Sequence, residues 1–376
     1  MKLDYLDFIY LGLIFSGMIA TIFFTIICKK LAGTIGITDD PMAHNEIHKG
    51  HKKSIPLLGG LAMFLGLFFV SLAVVILTFL HQKYDFKLLS ELPDIQGFIK
   101  VNPRFFWVII GSFGALLLGL IDDLKGMKAW KKFAGQFIIA GIAVFLGGIK
   151  ISLFIDSQIF TNLISIFWLV LLMNSINFLD NMDGLAVGIS CIAFGFFGLI
   201  AALCGQYLVG GFTFLLTGVT LGFWFFNHNP ASIFMGDSGS HLLGYFLGII
   251  SASVTYFHFS SSLTKFPILV PIFILAIPLF DTMMVVLIRT KNRKVFWKGD
   301  HNHISHRFVK MGLNRKYSVM MVHFLSLIIG LSSFIVMWGD FKTAAIAVIQ
   351  ILLLLLMVTI IQLSLGDTTS TITDRE

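Results

Sequence analysis

A chain of 376 residues that is 57% hydrophobic and only 12% charged, with a mean hydropathy of +0.90, is too apolar for a soluble multidomain protein. Ordinary globular chains carry about 25% charge. The net charge of +7 would suit nucleic acid, but the basic residues sit at the ends of apolar runs and read as membrane topology. Cys28, Cys191 and Cys204 all lie in apolar runs with no CxxC pair, so neither a disulfide framework nor a cysteine zinc site is expected.

About 20 mainly apolar residues carry a helix across the hydrocarbon core. On that rule the sequence predicts an all-α polytopic integral membrane protein, a single domain over 1–376 with about eleven transmembrane helices. The spans fall near 6–28, 57–80, 104–121, 133–149, 161–179, 185–204, 211–227, 239–258, 266–288, 318–337 and 343–365. The first ends in Lys29-Lys30 without a small-residue cleavage site and reads as a retained span, not a signal peptide. The connection 81–103 is the one sizeable external segment, and its mixed charges and Pro93 indicate no separate domain. No internal repeat is evident, so an inverted-repeat transporter gains nothing from the sequence.

Orientation follows from Lys and Arg. With the N-terminus outside and the C-terminus cytoplasmic, the inner loops 29–56, 122–132, 180–184, 228–238 and 289–317 and the tail from Gly366 hold 19 of the 27 basic residues. Asp39-Asp40, Asp122-Asp123, Asp180, Asp183 and Asp237 then face the cytoplasm. Asp281 lies about two turns before Arg289, toward the same face. This clustering predicts an active site at the cytoplasmic membrane face.

The polar stretch Asn174 to Gly184 stands between two apolar runs. Asn174, Asn177, Asp180 and Asp183 recur every third residue and would form one stripe on a helix. Oxygen ligands of this kind suit a hard cation such as Mg²⁺; a short polar turn between spans is the plainer alternative. Asp122-Asp123 ends the third span and leads into Lys125, Lys128, Lys131 and Lys132. Paired carboxylates there can hold Mg²⁺ or take a proton, and the lysines suit a phosphorylated substrate. Without a ligand, the pair is a solvated helix end.

Phe234 to His241, with Gly236 and Gly239 flanking Asp237-Ser238, opens the eighth span. Glycines permit close backbone approach and a helix start offers free N–H groups to an anion, although a plain N-cap reads equally well. The loop 289–317 carries Asp300 to Arg307 among nine basic residues. Three histidines there lack a nearby Cys or Glu to complete a zinc set, and imidazole with guanidinium suits a diphosphate better. A basic loop touching anionic lipid would explain the charge but not the histidine spacing. In His44-Asn45-Glu46-Ile47-His48 the Glu is one position late for a zincin motif, and Asp40-Pro41 puts it in a loop.

Taken together, the chain resembles the polyprenyl-phosphate N-acetylhexosamine-1-phosphate transferases (glycosyltransferase family 4), in particular the bacterial undecaprenyl-phosphate GlcNAc-1-phosphate transferase branch. The resemblance runs from about Asp39 to Leu313 through Asp40-Pro41 with His48, Pro56 to Gly60, and Asp122 to Gly126 with Lys132. It continues through Asn177 to Leu185, Gly236 to Ser240, Pro278 to Thr282 and the His loop. It implies an Mg²⁺-dependent transfer, with Mn²⁺ as a substitute, of N-acetylhexosamine-1-phosphate from a UDP-sugar to undecaprenyl phosphate. The products are a polyprenyl-diphospho-sugar and UMP. The reaction initiates a cell-envelope glycan such as lipopolysaccharide or teichoic acid, in the plasma (inner) membrane. Phosphoryl transfer of this kind demands positioning and charge neutralisation more than covalent help.

By similarity, Asn177 and Asp237 bind the metal, with Asp180 and Asp183 in or beside its ligand shell. Asp122 or Asp123 deprotonates or orients the lipid phosphate, and Lys125, Lys132, His303, His306 and Arg307 hold the diphosphate and sugar. Asn174 is expected to serve helix packing. The chain departs from the family pattern at Asn45-Glu46, at His301 in place of an Arg, and at Ser305 in place of the first of two paired histidines. Partners expected are the polyprenyl phosphate, the UDP-N-acetylhexosamine and membrane lipid, with a homodimer left open and no nucleic acid. Two rival functions remain: the phospho-N-acetylmuramoyl-pentapeptide transferase reaction, and a cation-coupled transporter using Asp281 and the Asn/Asp stripe.

Overall fold

The computed structural model describes residues 5–39, 54–84, 103–151, 155–256, 265–293 and 303–373. The segments expected to matter at Asp40-Pro41 through His48, most of 81–103, and Asp300-His301-Asn302 lie outside the described residues. The helices are α1 (Tyr5–Ile35), α2 (Gly59–Tyr84), α3 (Pro103–Lys125), α4 (Ala129–Gly141), α5 (Gln158–Leu179), α6 (Leu185–Leu203), α7 (Tyr207–Asn227) and α8 (Gly236–Ser253). They continue with α9 (Val270–Ile274), α10 (Ala276–Lys291), α11 (Ile304–Lys310), α12 (Arg315–Trp338) and α13 (Phe341–Thr373). A two-residue antiparallel pair, β1 (Thr38–Asp39) with β2 (Ile55–Pro56), sets Thr38 opposite Pro56.

All eleven expected spans contain helix. Among the described residues nine helices are long and apolar enough to cross a membrane, and α9 with α10 makes a tenth candidate bent by 73°. The span expected over 266–288 is broken into two helical segments. Leu275 takes φ −98° between the two halves, and Pro278, with no N–H, cannot bond back to the Ile274 carbonyl. The first helix runs past Lys29-Lys30 to Ile35 and stops before Gly36 at φ +79°. The fourth ends in a π-helical turn over Ile142–Leu146.

The least apolar of the expected spans is the most enclosed. In α8 every residue from Ser238 to Ser251 is buried, packed by α3, α5, α2 and α6. Between helices in lipid there is little hydrophobic drive, so close packing of small residues holds them. Gly244 shows this: a Cβ there would lie 2.6 Å from the Leu172 carbonyl oxygen of α5. Around α8 the core is filled by Met173, Ile176, Leu179, Phe194, Phe197 and Phe223. Phe8, Phe15, Ile19 and Phe23 of α1, and Ile349, Leu352, Leu353 and Ile360 of α13, stay exposed on the outside of the bundle, where lipid would cover them.

The C-terminal ends of α3, α5 and α7 and the N-terminal ends of α2, α4, α6 and α8 meet at one end of the bundle. The start of α2 is tied there to the approach to α8, since Gly59 N donates to Phe234 O and Gly60 N to Met235 O, both at 3.0 Å.

Candidate active site

The start of α8 is fixed first. Gly236 takes φ +67°, a conformation few other residues tolerate, and turns the chain into the helix. Asp123, near the end of α3, accepts from the newly exposed amides: Asp237 N donates to Oδ1 at 2.7 Å and Ser238 N to Oδ2 at 3.1 Å. A Cβ on Gly236 would lie 2.5 Å from Asp123 Oδ2, so the glycine is required by the cap as well as by the turn. Both oxygens of Asp123 are thus occupied by backbone, each such charged bond being of the kind worth about 1.5–3 kcal/mol.

Asp122 faces the other way. Its Oδ1 accepts from Met127 N at 2.6 Å, and its Oδ2 pairs with Lys132 Nζ at 2.8 Å. Lys132, on the first turns of α4, also donates to Asp237 Oδ2 and lies 3.5 Å from Asn177 Oδ1. Asn177 Nδ2 donates to Asp237 Oδ1 at 2.7 Å and to Ser240 Oγ at 2.9 Å. One ammonium therefore ties three helices through two carboxylates and an amide. The lysine's side chain is 17% exposed, so the cluster sits at the mouth of the bundle and not in its centre.

Behind this cluster lies a polar chain that the sequence reading did not single out as a unit. Asn174 Nδ2 donates to Gln136 Oε1 at 2.7 Å, and Gln136 Nε2 lies 2.9 Å from His241 Nε2. His241 Nδ1 is 2.6 Å from the Asp237 carbonyl oxygen. A carbonyl can only accept, so Nδ1 carries the hydrogen and Nε2 accepts from Gln136. Asn174 thus has the helix-packing place expected of it. A signal for the chain was available: Gln136 is one turn after Lys132 and His241 one turn after Asp237, each pair on one helix face.

The loop between α5 and α6 carries the other two acids. Asp180 closes α5 as its C-cap, with its amide bonded to Ile176 O and Asn177 O. Burial, together with the charges of Asp237, Asp123 and Asp183, pushes its carboxyl well above the ordinary carboxylate range. Asp183 Oδ2 accepts from Asn229 Nδ2 at 3.1 Å and Ala231 N at 3.0 Å, joining this loop to the one before α8. Asn227 completes the join by accepting from Gly184 N at 3.1 Å while its amide donates to Ile233 O. Asn227 and Asn229 were not among the expected site residues.

Beyond Asp180 lies the short helix α11. Asp281 of α10, fully buried, faces its start: Ile304 N donates to Oδ1 at 2.7 Å, and His303 Nδ1 lies 2.7 Å from Oδ2. Ser305 Oγ donates to Asn181 Oδ1 at 2.8 Å, locking α11 to the Asp180–Asp183 loop. The His303 ring is 6.5 Å from that of Phe178 and 6.3 Å from that of His306. Arg307 is 5% exposed, yet Nε and both terminal nitrogens have no hydrogen-bond partner among the described residues. Burial pulls its guanidinium below its ordinary value, opposed by the nearby charge of Asp281.

The site residues thus fall into two groups at one end of the bundle, Asp122, Asp123, Lys132, Asn177, Asp180, Asp183 and Asp237 in one and His303, His306 and Arg307 in the other. Lys125 is exposed at the end of α3 and is not among the groups bonded to the carboxylates. Among the described residues no three His, Cys, Asp or Glu side chains come together as a metal cluster. The donors that do converge are carboxylate and amide oxygens around a single ammonium, a set chemically suited to a hard cation.

Residues 105–255, from α3 to the end of α8, match the model of glycosyl transferase family 4. The chain is 31% identical over 327 residues to a probable undecaprenyl-phosphate N-acetylglucosaminyl 1-phosphate transferase of Bacillus subtilis, covering 85% of this chain and 82% of the relative. A decaprenyl-phosphate N-acetylglucosaminephosphotransferase of Mycolicibacterium smegmatis is 30% identical over 298 residues, 73% of this chain and 70% of the relative. A phospho-N-acetylmuramoyl-pentapeptide-transferase of Lactobacillus gasseri is 31% identical over 251 residues, 62% of this chain and 75% of the relative.

Proposed function

The chain belongs to glycosyl transferase family 4, and from that premise we propose that it transfers GlcNAc-1-phosphate from UDP-GlcNAc to undecaprenyl or another polyprenyl phosphate. The products are polyprenyl-diphospho-GlcNAc and UMP, and the reaction starts a cell-envelope glycan. The observation that carries this reading is the pairing of an acidic cluster around Lys132 with a buried guanidinium at Arg307 that has no hydrogen-bond partner among the described residues. A reaction between two phosphorylated substrates needs both a cation platform and a free cation for phosphate oxygens. The Bacillus subtilis GlcNAc-1-phosphate transferase aligns over 85% of this chain, against 78% and 62% for two pentapeptide transferases, which favours the small sugar nucleotide.

In this reading Asp237 and Asn177 hold Mg²⁺, with Asp180 and Asp183 beside it; the oxygen-only donor set fits the ion. Bound there, Mg²⁺ supplies charge neutralisation for the diphosphate. Lys132 keeps Asp122 and Asp237 from repelling one another and offers an N–H to the incoming phosphate. Asp122, held by Lys132 and the Met127 amide, orients the lipid phosphate or takes its proton. Asp123 acts through the backbone, holding the start of α8 so that Asp237 stays in place. Arg307 binds the diphosphate of the nucleotide sugar, with His303 and His306 alongside. The surplus of Lys and Arg in the loops at this end supports a cytoplasmic site, an external N-terminus and a place in the plasma membrane.

The test is UMP release from UDP-GlcNAc by purified protein with undecaprenyl phosphate and Mg²⁺. Release that needs both the lipid and the metal is expected. No release with any UDP-N-acetylhexosamine would sink the reading.

A further inference from the structure

Asp281 has no part in the scheme above, yet it is the most completely buried acid in this end of the bundle. It sits in α10, beyond the break at Leu275, and its two oxygens meet two different groups of the neighbouring segment. Ile304 N occupies Oδ1 and His303 Nδ1 lies at Oδ2, each at 2.7 Å. A carboxylate accepts from both. The pair therefore fixes which nitrogen of His303 carries a hydrogen: Nδ1 is the donor, and Nε2 is the ring's remaining polar atom. The same contact sets the start of α11, whose next turn carries Arg307.

We infer that Asp281 is a positioning residue for nucleotide-sugar transfer, holding His303 in the tautomer whose Nε2 can accept from a hydroxyl or amide N–H of the substrate sugar. The inference rests on the transferase reading. The supporting geometry is local. His303 is only 5% exposed, and its ring stands 6.5 Å from that of Phe178, which directly follows Asn177. Ser305 bonded to Asn181, and Gln362 Nε2 donating to Ile304 O at 3.2 Å, hold the same turn from two other sides. With the backbone so fixed, the ring's freedom is mainly its tautomer.

Asp281→Asn isolates that freedom. The Ile304 amide needs an acceptor, so the new side chain must turn its oxygen toward it and its NH₂ toward His303. Nδ1 then has to accept, and the ring hydrogen moves to Nε2. The fold keeps both contacts, but the atom offered to substrate changes character. We expect kcat/KM for UDP-GlcNAc to fall about 100-fold while elution in detergent is unchanged. His303→Asn keeps a donor facing Asp281 and lacks Nε2, so it should lose activity to a similar degree while staying folded. In the His303→Asn background, Asp281→Asn should cost no more than about threefold further, because both changes remove the same service.

Retention of kcat/KM within about threefold by folded Asp281→Asn would overturn the inference, as would single losses that multiply in the double variant. If Asp281→Asn does not fold, His303→Asn decides alone: near-normal turnover rules out a role for Nε2, and its loss in folded protein supports one. A wild-type protein that releases no UMP from any UDP-N-acetylhexosamine sinks the transferase reading itself. An active wild type with a tolerant Asp281→Asn sinks only the positioning role.

Discussion

Lys132 and Arg307 are both partly or fully buried cations at the same end of the bundle, and they differ in one respect. Lys132 bridges Asp122 and Asp237, with Asn177 in reach. Arg307 has three nitrogens and no hydrogen-bond acceptor among the described residues; burial lowers its pKa, and the charge of Asp281 only opposes that shift. A cation bonded to its own protein is doing structural duty before any substrate arrives. A buried cation without acceptors is destabilising until something anionic supplies them. On the proposed reading, the comparison separates a platform that stabilises the fold from a socket that the substrate's phosphate oxygens would complete.

The largest effect expected is from Asp237→Asn, which removes the charge that Lys132 and Asn177 both hold. Turnover should drop by more than about 1,000-fold, measured as UMP release; near-normal rates at ordinary Mg²⁺ would take Asp237 out of the platform. Next is Lys132→Met. Stripping one partner from a largely buried pair costs about 3 kcal/mol, so the variant should melt earlier in detergent as well as lose activity. Arg307→Met should do the opposite to stability. Transfer from UDP-GlcNAc weakens by about 1.5–3 kcal/mol for a lost charged hydrogen bond, yet the unliganded protein should melt no earlier than wild type. If both variants destabilise alike, the contrast between platform and socket is wrong.

Much of this arrangement was legible in the sequence, because membrane helices leave polar residues few reasons to exist. The eleven apolar segments and the interruptions at Asp122-Asp123, Asn177 to Asp183 and Asp237 were enough to indicate one shared site. The division of labour within it was not. Adjacent residues on a helix point about 100° apart, so one of Asp122 and Asp123 had to face Lys132 and the other α8; which did which depends on packing. Lys125 and Lys132 are equally basic in sequence, but only Lys132 begins a helix that lies against α5. Asp281 finds its partners 22 and 23 residues later, across the segment 294–302, a pairing no local pattern announces. The break at Leu275 needed the prolines to be read as breakers within an otherwise uniform apolar run.

The smallest effect compares two caps of the same chemistry at opposite ends of the bundle. Asp123 caps α8 inside the site, and Asp340 caps α13 at the far end, where its Oδ1 accepts from Thr343 N at 2.9 Å and Thr343 Oγ1 at 2.6 Å. The Thr343 hydroxyl first, and then its amide, hold the fully exposed Asp340 carboxyl below the ordinary carboxylate range. A depressed value means the ionised cap is fully in force above the unfolded-state value and is lost as pH falls through the folded one. Hydrogen exchange at the first-turn amides of α13 should therefore be faster in Asp340→Ala than in wild type at neutral pH. The two should converge only at a pH below the ordinary carboxylate value of about 3.9, once the wild-type carboxylate is protonated. Transfer activity in Asp340→Ala should be unchanged, whereas Asp123→Ala should lose it, since the same two-bond cap there also places Asp237. Equal activity losses in the two variants would mean that capping matters here only through overall stability, and that Asp123 has no special claim on the site.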